Sequence, residues 1–117
     1  MRIAITLLFM IPVMCYSQTQ KLNNDSLSGK ELYLQNCVPC HSLDHKIIGP
    51  PLRNIHLKRN EKWLLDWIKS SETLVKSGDT AAINIFKLYN GVGQPDFDLT
   101  DKEILSILDY IKNSPTK

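Results

Sequence analysis

Cys37-Val38-Pro39-Cys40-His41 sets two thiols three positions apart, with an imidazole directly behind the second. Two thiols at that spacing can add across the two vinyl groups of a haem, and the His that follows is then held directly below the iron as its proximal ligand. Three other chemistries use the same residue types. Zinc would want two further Cys or His ligands; His45 and His56 exist, but no second Cys-x-x-Cys pair does. A thioredoxin-like redox pair needs a βαβ setting. A structural disulfide across two intervening residues would constrain little chain. The His, the helical pattern and the export signal described next favour haem attachment: Cys37 and Cys40 as covalent thioethers, His41 on the iron, one haem c per chain.

The elements that must hold this motif read as all-α. Ser28-Gly29-Lys30-Glu31 has the Ser-x-x-Glu form of a capping box and opens a helix through about Cys37. Residues 42–59 contain Gly49-Pro50-Pro51, which no helix accommodates, so this stretch is expected to be a long ordered loop. A second helix is expected from about Asn60 to Ser70, with Trp63, Leu64, Trp67 and Ile68 on one face. A third runs from Asp79 as cap to about Tyr89, with Ala82, Ile85, Phe86 and Tyr89 inward, and Gly91-Val92-Gly93-Gln94-Pro95 breaks it. Thr100-Asp101-Lys102-Glu103 is another capping box, starting a last helix whose inner face is Ile104, Ile107, Leu108 and Ile111. No period-2 strand run and no internal repeat is visible.

Residues 1–17 read as a leader rather than as part of the fold. Arg2 supplies a positive start, Ile3 to Met14 form an apolar run too short for a permanent bilayer span, and small Ser17 suits the position before a cut. The expected destination is the periplasm. Cys15 invites the alternative of a lipid anchor, which is disfavoured because Met14 stands where a small residue belongs. Residues 18–26 are a polar lead-in, and 27–117 form the folded domain. The 117 residues fit one domain and exclude a multi-domain enzyme. With 14 Lys+Arg interspersed among 12 Asp+Glu, no basic run exists to track nucleic acid. Met1, Met10 and Met14 all lie in the leader, so residues 18–117 contain no methionine.

Over nearly all of residues 18–117 the chain resembles the class I cytochromes c. The likeness is carried by Gly29-x-x-Leu32-Tyr33 ahead of the Cys37-x-x-Cys40-His41 motif, then by Gly49-Pro50-x-Leu52 and Trp63-Leu64-x-x-Trp67-Ile68. It continues through Gln94-Pro95-Asp96-Phe97, Leu99-Thr100-Asp101-x-Glu103-Ile104 and Tyr110-Ile111. It implies a small helical fold wrapped around one covalent haem, with Gly29 leaving room for the last helix to cross against Ile107 and Tyr110. It also implies that the Pro50 carbonyl accepts a hydrogen bond from the proximal His41, fixing its tautomer. Trp63 would reach a haem propionate through its indole N–H, or serve simply as a core residue.

The resemblance fails at one position. The family's sixth ligand is a Met just before the Pro-x-Phe, and here that position is Gln94. Gln94 ligating through its amide oxygen, His56 or His45 swinging in, and an open or water-held site all remain; a solvated side chain is the default for both loop histidines. Gly91 and Gly93 make the Gln94 segment pliable. Loss of the thioether should lower the reduction potential. The expected function is a periplasmic monohaem carrier, a monomer passing one electron between a respiratory donor and acceptor. It is not expected to be an enzyme, because no catalytic acid, base or substrate pocket is offered. Lys30, Lys46, Arg53, Lys58, Arg59 and Lys87 could steer docking onto an acidic redox partner, or form an ordinary solvated surface. The alternative is a haem-based binder or sensor of NO or CO at an open sixth position; a peroxidase-like enzyme would need distal acid–base groups that are not evident.

Overall fold

The computed structural model describes residues 27–116, so the leader, the lead-in and Cys15 lie outside the described residues. Among the described residues there are six helices and no strand. Four match the expected elements: α1 (Gly29–Asn36), α3 (Glu61–Lys69), α5 (Thr80–Leu88) and α6 (Asp101–Asn113). Both capping boxes close. Ser28 accepts from the Glu31 backbone while Glu31 reaches back to the Ser28 N–H, and Thr100 and Glu103 do the same at the start of α6.

Two short helices depart from expectation. α2 (Ile55–Lys58) is a single turn inside the stretch read as a loop, entered through Asn54 in the left-handed conformation, φ 59°. α4 (Ser71–Lys76) follows α3 with no intervening loop. Ser70 ends one helix and caps the next: extended at φ −159°, it gives its N–H to Asp66 O and accepts from the Thr73 N–H. The turn between α3 and α4 is thus made by a single residue, which a count of apolar spacing passes over.

The frame is the crossing of α1 and α6. Leu32 and Tyr33 of α1 meet Ile107 and Ile111 of α6, all four buried, and Tyr33 and Tyr110 rings lie 5.2 Å apart at a tilt of 49°. Cys37, Leu52, Ile55 and Leu99 pack onto this cluster, so the motif at the end of α1 is seated directly on the core. Close approach at the crossing depends on Gly29. A Cβ there would stand 2.0 Å from the Ser106 carbonyl oxygen, so Ser106, rather than Ile107 or Tyr110, is the residue against which the glycine is pressed.

The rest of the apolar inventory is less completely covered. Among the described residues only seven apolar side chains are buried, Leu64, Ala82 and Ile104 completing the set. Trp63, Trp67, Ile68, Ile85, Phe86, Tyr89 and Leu108 are only half-buried, although their spacing put them on inward faces. The protein core on its own is thin for this length, as expected of a chain that packs around something else.

Gly29→Ala is expected to lower stability by about 3 kcal/mol, the upper range for overpacking, because backbone rather than a movable side chain stands in the way. Denaturant unfolding of the variant beside the natural chain measures it; a midpoint unchanged would mean that α1 and α6 do not cross this closely.

Candidate haem site

The Cys37–His41 stretch leaves α1 as a continuing turn. The Cys37 N–H goes to Tyr33 O at 2.9 Å, and Cys37 O accepts from both Cys40 N at 3.1 Å and His41 N at 2.8 Å. This winding places both thiols and the imidazole on one short corner of chain. Both thiols are free and half-buried. Burial pushes the Cys37 thiol up to about 11, so at neutral pH it is a protonated, apolar-seated thiol rather than a metal-ready thiolate. Among the described residues no three His, Cys, Asp or Glu side chains converge to hold a metal ion.

The loop that follows folds back under the imidazole. Gly49 N–H donates to Cys40 O at 2.7 Å, Leu52 N–H to Ser42 O at 3.0 Å and Arg53 N–H to Leu43 O at 2.9 Å, pairing the two arms of the loop. As a result His41 Nδ1 lies 2.8 Å from Pro50 O. A backbone carbonyl can only accept, so Nδ1 carries the proton and Nε2 presents its lone pair. Gly49 is a second constraint: a Cβ there would come within 2.3 Å of the imidazole ring, so the backbone lies flat against the ring and any side chain would displace it. The ring is therefore oriented by a hydrogen bond on one edge and by backbone on its face.

Arg53 locks this loop to the end of the chain. It pairs with Asp44, and its Nη1 donates to Ser114 O at 2.8 Å and its Nη2 to Pro115 O at 3.2 Å. The sequence offers Arg53 either to a docking patch or to an ordinary solvated surface; its side chain is only 15% exposed and bonded to Asp44, Ser114 and Pro115, so it is a structural clamp instead. Arg59 is engaged too, 5.2 Å over the Trp63 ring. Lys46 lies 5.2 Å over the Tyr89 ring, which joins the loop after His41 to the end of α5.

Trp63 and Gln94 are placed by contacts other than those of the Cys37–His41 corner. The Trp63 indole stacks on Trp67, ring centroids 5.2 Å apart, and its Nε1–H donates to Asp79 Oδ1 at 3.1 Å, so the N–H expected for a propionate is given to a carboxylate of the chain. Asp79 also accepts the Ala82 N–H at 2.8 Å, and these bonds, Ala82 first and Trp63 next, hold its carboxyl below the ordinary aspartate range. Gln94 is half-buried; its carbonyl accepts from Ser71 Oγ at 3.0 Å, while among the described residues its side-chain amide makes no hydrogen bond. His45 is exposed, as expected of a loop His. His56 is not: its Nδ1 is shut away from solvent with no partner among the described residues.

These residues fit a covalently bound haem. Two free thiols and a proximal imidazole with Nε2 unengaged are the donor set that a haem with two vinyl groups requires. The apolar faces of α3 and α5 are left half-covered, and the orphan Nδ1 of His56 is a polar atom of the kind that normally has a partner when buried. Cys37, Cys40 and His41 would hold the group, with Pro50 orienting the imidazole from behind.

Comparison with known proteins agrees with this geometry. The family model for cytochrome c matches residues 26–115, and the chain belongs to the cytochrome c family. Among solved structures it is similar to a cytochrome c from Rhodothermus marinus, with a TM-score of 0.63 and 24% identity over 71% of this chain and 70% of that one. It is also similar to a cytochrome c domain from Pseudomonas putida, with a TM-score of 0.62 and 25% identity over 72% of this chain and 84% of that one. An engineered form of the Rhodothermus marinus cytochrome c gives a TM-score of 0.64 at 24% identity, again over 71% and 70% of the two chains. No curated protein matches significantly. The fold is therefore the small class I all-α fold, and haem c and electron carriage come with the family.

The Asp79 bonds yield a pH dependence. A carboxyl held low in the folded state contributes stability that is present above its unfolded pKa, about 4, and is lost as pH falls through the lower folded value. Asp79→Asn keeps an acceptor for both donors but cannot titrate. Its unfolding midpoint should therefore fall less steeply between about pH 5 and pH 2 than that of the natural chain. Identical slopes would show that Asp79 is not perturbed by folding.

Proposed function

We propose that this cytochrome c is an exported, periplasmic monohaem carrier that moves single electrons between a respiratory donor and acceptor, and that it is not an enzyme. The observation that supports it most is the His41–Pro50 hydrogen bond beside two free thiols, which prepares one imidazole for one iron. Haem c, when bound, supplies one-electron exchange between ferric and ferrous states. The chain's own part is to hold the imidazole in one tautomer and orientation, to shield the apolar edge from water, and to leave the distal side to Gln94. Gln94 is the candidate sixth ligand, through an amide oxygen that favours the harder ferric ion and so depresses the potential. Lys30, Lys58 and Lys87, exposed and without an ion pair among the described residues, remain with Lys46 as the basic groups that would meet an acidic partner.

One observation favours the reading as a binder of NO or CO. No methionine is available in residues 18–117, and among the described residues the Gln94 side-chain amide makes no hydrogen bond. Both readings put Gln94 on the distal side and differ in how firmly it closes.

The optical spectrum of the purified ferrous protein, with and without CO, separates them. A sharp low-spin spectrum that CO displaces only slowly is the expected result for the carrier; a high-spin spectrum that shifts at once with CO gives the lead to ligand binding. Gln94→Met should raise the potential by a fraction of the roughly 0.8 V that axial ligands span, and should slow CO. If it changes neither, Gln94 does not face the iron.

A further inference from the structure

The segment that carries Gln94 is held from behind by two consecutive serines. Ser71, at the start of α4, is 2% exposed and donates its hydroxyl to the Gln94 carbonyl at 3.0 Å; its neighbour Ser70 donates to Asp96 Oδ2 at 3.4 Å. A buried hydroxyl spent on a loop carbonyl is a specific tie, since its loss would leave that carbonyl facing an alanine. The approach to Gln94 leans on the same place: a Cβ on Gly93 would be 3.4 Å from Ser71 Oγ, and one on Gly91, at φ +75°, would be 3.6 Å from the Phe86 ring. The segment beyond is lightly packed, because a groove of about 580 Å³ opens between it and α4, lined by Val75, Phe86 and Pro95 among others. The Gln94 carbonyl is thus pinned by Ser71, while among the described residues the side-chain amide makes no hydrogen bond.

We propose that Ser71 is a positioning residue for the distal side: its hydroxyl latches the Gln94 carbonyl to α4 and so sets how long the Gln94 side chain stays over the iron, and with it how readily a small ligand enters. The proposal rests on the reading that the 93–96 segment faces the haem. The α3–α4 junction supplies the rigidity the latch needs, since Ser70 caps α4 and Ser71 sits in its first turn. Gly91 and Gly93, flanking Val92 on the other side, supply the backbone freedom that makes a latch consequential. Closing the distal side is then a local equilibrium of one loop on one hydroxyl, and needs no movement of the α1–α6 frame.

The test uses the ferrous holoprotein and CO as probe, with association followed by rapid mixing or flash photolysis. Ser71→Ala should speed CO association about tenfold, the factor given by loss of about 1.4 kcal/mol, an ordinary hydrogen bond. Ser71→Cys, which keeps the volume but donates weakly, should fall between the two. Ser77→Ala is the control: it removes a hydrogen bond within the end of α4, from Ser77 Oγ to Leu74 O at 2.7 Å, without touching the 93–96 segment. It should lower the unfolding midpoint and leave the CO rate alone. A CO rate unchanged or slowed in Ser71→Ala, or raised equally by Ser77→Ala, while Gln94→Ala does raise it, overturns the latch and leaves the distal placement standing. If Gln94→Ala also has no effect, both fall together.

Discussion

The orientation of one imidazole constrains everything else in this protein. His41 is fixed by its Nδ1–H on the Pro50 carbonyl and by the bare backbone of Gly49 against its ring. Neither works without the other. The hydrogen bond sets tautomer and direction, and the glycine lets the carbonyl-bearing strand of loop come close enough to make it. That closeness is imposed from further away, by the paired arms of the 42–53 loop and by Arg53, which ties the loop to Asp44 and to the carbonyls of Ser114 and Pro115. Residues 114 and 115 thereby brace the loop that orients His41.

Two halves of the molecule are built to different standards. On the proximal side α1 and α6 cross with no room for a methyl group, and the motif cysteine Cys37 sits on their buried cluster. Away from that crossing, helices α4 and α5 and the 93–96 segment line a groove, and the Gln94 carbonyl accepts from the Ser71 hydroxyl. On the proposed placement of Gln94, His41 is tied into the global fold, while the opposite position of the iron would be governed by a local, low-cost equilibrium. On that placement the asymmetry would suit a carrier whose redox properties are tuned by one soft contact.

Much of this was legible in the residues. The Cys37-x-x-Cys40-His41 spacing, both capping boxes and the inner face of α6 depend on neighbours within a few positions, which is the range over which sequence patterns carry information. The Pro50 contact was implied by resemblance and lies where expected. What escaped were contacts that need two distant segments. Arg53 reads as a surface charge until Asp44 and residues 114–115 are brought to it. Asp79 reads as a cap until Trp63 arrives 16 positions away in sequence. His56 reads as a solvated loop residue because a one-turn helix entered through a left-handed Asn54 leaves no periodic trace. Ser70 and Ser71 look like generic polar spacers, but Ser70 caps α4, and the return of the 93–96 segment gives Ser71 its partner and Ser70 a further one.

Covalent attachment at Cys37 and Cys40 is the point on which the site stands. The direct measurement is the intact mass of the purified protein from cells competent in haem attachment, taken before and after treatment with a thiol-alkylating reagent under denaturing conditions. The mass should exceed that of the bare chain by one haem, and neither Cys37 nor Cys40 should take up the reagent. A bare-chain mass with both cysteines alkylated, or a second haem on the same chain, would contradict a single haem held by these two thiols.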